Sequence, residues 1–188
     1  MNPHPLSKEL ILPNNEHCEI KDIREMVKNF KKQNINFIEI LFTEYFILNP
    51  KFEELWKKYF IAYKNEIARY DIHIAVNSMS HQASHTLNQD SMNSKKISNA
   101  LRLLYFLEGY IRGDDYNNCL KSTGHRAEFL KDLKQDLYIN TAILSRAIQI
   151  GLDEYKDKDL KHLVDKEKKT RLDLKMKKGC LEMIKLNF

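Results

Sequence analysis

Two histidines, His81 and His85, stand four residues apart in a segment predicted to be helical. On a helix this spacing places both imidazoles on one face, where they could share a metal ion. The glutamate of the zinc-protease motif HExxH is missing because Gln82 follows His81, and no third ligand is evident. We therefore interpret the pair as surface or pocket-lining histidines, with a metal site as the alternative.

Three cations, Lys95, Lys96 and Arg102, lie in the first half of another predicted helix. Lys95 and Arg102 are seven residues apart, which is two helical turns, so they share a face. Ammonium and guanidinium groups placed this way suit a polyphosphate. Cations at a helix start oppose the helix dipole, which favours an anionic partner here. The alternative is a solvated first turn.

Positive charge is concentrated near the carboxyl end of the chain. The 188 residues have a net charge of +5, and the segment Lys156–Lys178 contains ten Lys or Arg against five Asp or Glu. The favoured interpretation of such a segment is a solvated helix face on which the two signs interleave. The alternative is contact with nucleic acid through Lys156–Lys178.

Composition favours a protein of the reducing cytoplasm. Three widely spaced cysteines form no CxxC pair and predict no disulfide framework. No apolar run approaches the roughly 20 residues that span a bilayer, so no membrane partner is expected. The motifs GxSxG, GxGxxG and the P-loop are all missing.

The fold predicted from these patterns is mainly α (α+β), with a short strand and helix followed by a helical bundle. Residues 1–15 are expected to be irregular, His17–Lys21 forms a strand, and Asp22 caps a helix that ends near Lys32. Apolar spacing then predicts six more helices, which begin at Pro50, Asn65, Ser94, Gly124, Tyr138 and Asp159. The helix from Asn65 is expected to run to about Leu87, and the helix from Asp159 to Ile184.

Three segments together resemble a known family: EIKDIREMVKNFKKQNINFIEILFTEYFILNPKF, ARYDIHIAVNSM and KKISNALRLLYFLEGYIRGDDYNNCL. The chain resembles, over roughly residues 16–155, the later part of the predicted nucleotidyltransferases of the DNA polymerase β superfamily found in bacteria and phages. The resemblance implies that residues 1–49 are a partial nucleotidyltransferase-like α/β segment. Residues 50–188 would form the helical carboxyl-terminal domain.

The resemblance also implies a missing catalytic half. Family members carry, before this region, a Gly-Ser motif and an Asp-x-Asp pair that holds two metal ions and the nucleotide phosphates. No such motif precedes Glu16. A third family carboxylate would fall near His17, with Glu16 and Glu19 as weak substitutes. Lys95 and Arg102 match the family's cationic positions, although Ser98 and Asn99 stand where histidine is common.

Nucleotidyl transfer needs two metal ions held by carboxylates. The chain is therefore expected to be a truncated nucleotidyltransferase-like protein that is inactive alone, with no cofactor of its own. It would need Mg²⁺ only if a partner chain supplied the catalytic half, and would keep nucleotide or polyphosphate binding through Lys95, Lys96 and Arg102.

Two other functions stay open. The helical part could be a nucleic-acid-binding or protein-interaction module, or the chain could be an unaided enzyme that uses Glu16, Glu19 and the group of His73, His81 and His85. Loss of the catalytic half would leave the apolar faces of residues 17–32 uncovered. We therefore expect a homo-oligomer, or a partner chain that covers residues 17–32.

Overall fold

The computed structural model describes residues 8–13, 15, 17–45, 47–88, 93–135 and 140–186. The prediction of a mainly α-helical fold with a short β segment is confirmed. The chain divides into two compact units. The first unit comprises Met1–Asp71 and Asp165–Phe188, and the second comprises Ile72–Val164. These units do not follow the predicted division between residues 49 and 50, because the carboxyl-terminal helix packs with the amino-terminal elements.

The first unit begins with a β-hairpin. Strands β1 (Lys8–Ile11) and β2 (His17–Ile20) pair antiparallel, with Leu10 opposite Cys18. The strand predicted at His17 is confirmed, but the irregular start predicted for residues 1–15 is wrong within Lys8–Ile11. Pro13 and Asn15 lie in the turn between the two strands, where Asn15 adopts a φ of 60°.

Capping residues and a proline in the sequence mark where the next helices of the first unit begin. Asp22 caps α1 (Ile23–Lys31) by accepting a hydrogen bond from the Arg24 amide at 2.8 Å. A short α2 (Ile35–Ile38) follows, and α3 (Pro50–Tyr59) begins at the predicted proline, with Asn49 as its cap. Helix α1 buries Val27 and Phe30.

The single helix predicted from Asn65 to Leu87 is wrong, because the chain breaks at residues 69–71. Helix α4 (Lys64–Ala68) is the last helix of the Met1–Asp71 part of the first unit. Helix α5 (Ile72–Leu87) is the first helix of the second unit. The Tyr70 and Asp71 side chains at the break bond to residues about a hundred positions later in the chain. Tertiary contacts have therefore overridden a continuous helical pattern.

The second unit is a helical bundle in which α5 packs on α6 (Ser94–Arg112) and α9 (Thr141–Lys156). The shorter helices α7 (Tyr116–Leu120) and α8 (His125–Lys134) pack on α6. Asn93 caps α6 by accepting a hydrogen bond from the Lys96 amide at 2.9 Å. The helix ends at Gly113, whose φ of 97° is favourable only for glycine.

The last helix, α10 (Lys166–Lys185), completes the first unit by packing on α3 and α1. The helix predicted from Asp159 is wrong over its first turns. A 3-10 turn occupies Lys161–Leu163, and Asp165 caps α10 by accepting from the Lys168 amide at 2.9 Å. Helix α1, which was expected to need a partner chain, is thus partly covered by α10 of its own chain.

Candidate nucleic-acid interface

Helix α10 is held in the first unit by an apolar stripe. Its buried residues are Leu172, Met176, Gly179, Cys180 and Met183. Gly179 allows the closest approach, because a Cβ atom there would lie 2.5 Å from the Cβ of Tyr59 on α3. Burial also raises the pKa of the Cys180 thiol, so this cysteine stays protonated and unreactive.

One polar flank of α10 is used for contacts within the first unit. Lys169 forms an ion pair with Asp71. Asp173 accepts from the Tyr70 hydroxyl at 2.7 Å and from Lys31 Nζ at 2.9 Å. Burial, and then the bond to Asp173, raise the pKa of Tyr70, which keeps its hydroxyl a donor. This flank is therefore occupied and offers little to an outside ligand.

The opposite flank carries Lys168, Arg171, Lys175 and Lys178, which we call the cationic ridge. Their spacings of three, four and three residues align them along one helix face. Lys168, Arg171 and Lys178 are exposed. Lys175 is half-buried, bonds to the Tyr63 hydroxyl, and lies 3.7 Å from the centre of the Tyr63 ring.

Part of the cationic ridge borders a small notch. Its lining residues are Tyr63, Glu66, Lys168, Arg171, Leu172 and Lys175. Its volume is about 30 Å³, which is about a tenth of the roughly 300 Å³ of the smallest ligand pockets. A nucleotide cannot be enclosed there, and Glu66 adds an acidic group at the edge. The ridge is therefore suited to contacts along a surface, such as those made to a phosphate backbone.

The net charge of the first unit comes entirely from its carboxyl-terminal segment. Residues 1–71 contain eleven Lys or Arg and eleven Asp or Glu, whereas residues 165–188 contain eight and four. The basic segment predicted at Lys156–Lys178 is thus divided between the units, and Lys169 within it is already paired.

The polyphosphate candidates lie in the second unit, on α6. Lys95 and Arg102 are exposed, and Lys96 is half-buried. Between them Ser98 is buried, and its hydroxyl donates to the Leu130 carbonyl at 3.5 Å. The two exposed cations lie two helical turns apart within α6, on the predicted common face.

The other predicted site residues are the glutamates at or near β2 and the two histidines of α5. Glu16 lies outside the described residues, and Glu19 is described only as a backbone position of β2, paired in register with Glu9. His81 and His85 are exposed on α5. Across the described residues, no group of three or more His, Cys, Asp or Glu is placed to hold a metal ion.

Comparison with known proteins found no matching family model, curated protein or solved structure. The resemblance to nucleotidyltransferases therefore stays a prediction. No helix in the described ranges is both long and apolar enough for a membrane crossing.

The sequence did not predict that Tyr63 contacts Lys175. It also did not predict which cations of α10 are paired within the chain and which are exposed. The three-four-three spacing of the cationic ridge is visible in the sequence. The pairing of Lys169 is not visible there, because Asp71 is about a hundred residues away.

Proposed function

We propose that this chain binds nucleic acid through the cationic ridge of α10. The observation that carries the proposal is the alignment of Lys168, Arg171, Lys175 and Lys178 along one flank of a helix whose other flank is already paired. From Lys168 to Lys178 the ridge rises about 15 Å, which matches several successive phosphates of one strand. Neutralised phosphates release counterions, which favours binding at low salt.

A solvated face with alternating signs accounts less well for this flank. Asp165 caps α10, and Asp173 is bonded to Tyr70 and Lys31, so neither carboxylate neutralises the cationic ridge. Glu182 lies 3.9 Å from Lys178, which is a weak, exposed pair. The four cations of the ridge outnumber the carboxylates beside them, which are Glu66 at the notch, Glu167 four residues before Arg171, and Glu182.

Reversing two ridge charges in the full chain tests the proposal. We expect the double variant Arg171→Glu, Lys178→Glu to bind a short mixed-sequence oligonucleotide about 10- to 100-fold more weakly at low salt, with a salt slope reduced by about 2. Fluorescence anisotropy over a salt titration measures both quantities. Both side chains are exposed, so the fold should be retained.

The chain offers a matched control in Lys95→Glu, Arg102→Glu. This pair has the same seven-residue spacing, the same residue types and the same charge change, but it lies on α6. The control should bind the oligonucleotide within about 3-fold of wild type. Equal losses in the two double variants would show that only net charge matters, and would overturn the cationic ridge as the binding site.

The same variants test the nucleotide binding implied by the family resemblance. If Lys95, Lys96 and Arg102 hold a polyphosphate, the α6 double variant loses affinity for a nucleoside triphosphate and the ridge variant keeps it. Calorimetry with and without Mg²⁺ separates charge attraction from binding that depends on the metal. If the ridge variant loses affinity for the nucleoside triphosphate and the α6 variant keeps it, α6 is not the nucleotide-binding site.

We also propose that a second copy of this chain is the partner predicted for residues 17–32. The hairpin supports this proposal, because Leu10, Ile11 and Ile20 are exposed. A two-stranded hairpin is marginally stable without further strands or a covering element. Sedimentation of the wild-type chain over a range of concentrations tests self-association directly.

A further inference from the structure

Two leucines are exposed on α10 beside the cationic ridge. Leu174 is 63% exposed and Leu181 is 58% exposed, although the helix also has a buried apolar stripe that packs it into the first unit. They are seven residues apart, so they lie on one helix face with about 10 Å between them. We call them the leucine pair. Because most of their surface is exposed, these side chains can contact a ligand.

Positive charge surrounds the leucine pair. On a helix surface, the residues three and four positions away are the nearest neighbours of a side chain. The neighbours of the two leucines are Thr170, Arg171, Lys177, Lys178, Ile184 and Lys185. Four of these six are cations and none is a carboxylate. The face therefore offers apolar contact and positive charge side by side, which suits a ligand that is both apolar and anionic.

An open depression adjoins one end of this face. It has a volume of about 450 Å³ and is lined by Lys166, Glu167, Thr170, Arg171 and Leu174. Unpaired bases stack on guanidinium planes as they do on aromatic rings, and a carboxylate can accept a hydrogen bond from a base amino group. Arg171 belongs to both the cationic ridge and this depression, so a base lying there would have its phosphate next to the ridge.

We propose that the cationic ridge binds nucleic acid as a single strand, with the phosphates on the ridge and unpaired bases on the leucine pair. A single strand presents apolar base faces and phosphates together, whereas a duplex keeps its base faces stacked inside. A duplex backbone laid on the ridge would press the leucine pair against hydrated phosphates without apolar compensation. In the major groove, base edges are read mainly by hydrogen bonds, which leucine side chains cannot form. The proposal rests on the nucleic-acid binding proposed above and specifies its form.

The first test compares ligands of equal charge on the wild-type full chain. An unstructured single strand should bind at least about 10-fold more tightly at low salt than a blunt hairpin duplex with the same number of phosphates. Inorganic polyphosphate of the same chain length, which has no bases, should also bind about 10-fold more weakly than the single strand. Fluorescence anisotropy measures the two oligonucleotides, and competition against the single strand measures polyphosphate.

The second test removes the apolar surface without changing any charge. We expect the double variant Leu174→Ser, Leu181→Ser to bind the single strand about 10-fold more weakly, with an unchanged salt slope, because base contacts are lost and phosphate contacts are kept. The unchanged slope distinguishes this variant from the ridge variant, whose slope falls. Both leucines are exposed, so the fold should be retained, which circular dichroism checks.

The matched control is Ile143→Ser, Ile150→Ser on α9. These isoleucines have the same seven-residue spacing and are 68% and 55% exposed, but they lie in the second unit, away from α10 in the sequence. The control should bind the single strand within about 2-fold of wild type. A loss as large as that of the leucine variant would show that general surface apolarity, rather than the leucine pair, contributes to binding, and would overturn the proposal.

The remaining outcomes distinguish this proposal from the one on which it rests. A wild-type chain that binds neither single strand nor duplex overturns nucleic-acid binding and the single-strand preference together. Equal affinity for the two forms, or no loss in the leucine variant, overturns the single-strand preference alone. Binding to phosphatidylserine vesicles that the leucine variant loses, while its oligonucleotide affinity stays unchanged, would assign the leucine pair to a membrane surface and also overturn the proposal.

Discussion

Gly179→Ala is expected to lower the free energy of unfolding of the first unit by about 2 kcal/mol, although alanine is the better helix former. The added methyl would lie 2.5 Å from the Cβ and 2.8 Å from the Cγ of Tyr59. Tyr59 is buried, and its hydroxyl donates to Glu182 at 2.9 Å, so the ring has little freedom to withdraw. Overpacking costs roughly 1–3 kcal/mol or more and exceeds the helix propensity gain of about 1 kcal/mol.

Gly151→Ala on α9 is the matched control. An added Cβ there would lie 3.2 Å from the two terminal methyl carbons of Leu104 and 3.8 Å from its Cγ, and the methyl carbons can move by a rotamer adjustment. We expect this variant to be within about 0.5 kcal/mol of wild type or more stable. Urea unfolding followed by Trp56 emission reports the first unit, and circular dichroism reports the whole chain. A Gly179→Ala chain as stable as the control would refute the tight contact between α10 and α3.

Gln33→Glu is expected to cost about 3 kcal/mol of stability near pH 8, although the two side chains have the same shape. The Gln33 side chain is only 1% exposed. Its Nε2 donates to the carbonyl oxygens of Phe30 at 2.8 Å and Ile67 at 2.7 Å. An ionised carboxylate has no hydrogen to donate, so it would face two buried carbonyl oxygens without compensation.

The loss in Gln33→Glu should depend on pH in a defined direction. Burial and the two facing carbonyl oxygens favour the neutral acid, so the folded-state pKa of the introduced carboxyl is raised above its unfolded value. The variant is therefore destabilised most above the folded pKa, and the deficit shrinks as pH falls and the acid gains a proton that it can donate.

Urea unfolding of wild type and variant at about pH 5 and about pH 8 measures this pH dependence. Gln33→Leu serves as the comparison, because it removes the same two hydrogen bonds without adding an ionisable group. Its deficit relative to wild type should be the same at both pH values. If the Gln33→Glu deficit is also the same at both, the carboxyl is not desolvated and the buried position of this side chain is wrong.

Short-range features of the fold were predictable from the sequence because their physical causes lie within a few residues. Asp22 caps α1 through a bond to Arg24, two residues away. The Asn49-Pro50 start of α3 and the Gly113 end of α6 follow from capping and from glycine's backbone freedom. Apolar periodicity likewise predicted the mainly α-helical class, since a helix must bury one stripe wherever it packs.

Long-range contacts account for the features that were predicted wrongly. Strand β1 is stabilised by pairing with β2, and neither its length nor its composition distinguishes it from an irregular start. The break at residues 69–71 coincides with the bonds of Tyr70 and Asp71 to α10. In both cases the deciding interaction joins segments that no local pattern connects.

For the candidate interface, too, some features were predictable from local sequence patterns and others depended on the tertiary structure. Residue types and helical spacing determined that positive charge lies along α10, because side chains three and four residues apart share a helix face. Only the tertiary structure decided which charges stay available: Lys169 is paired with Asp71, whereas Arg171 and Lys178 remain exposed. The physical reason is that a lysine's availability depends on whether packing brings a carboxylate within a few ångströms of it, and that carboxylate comes from a distant part of the chain.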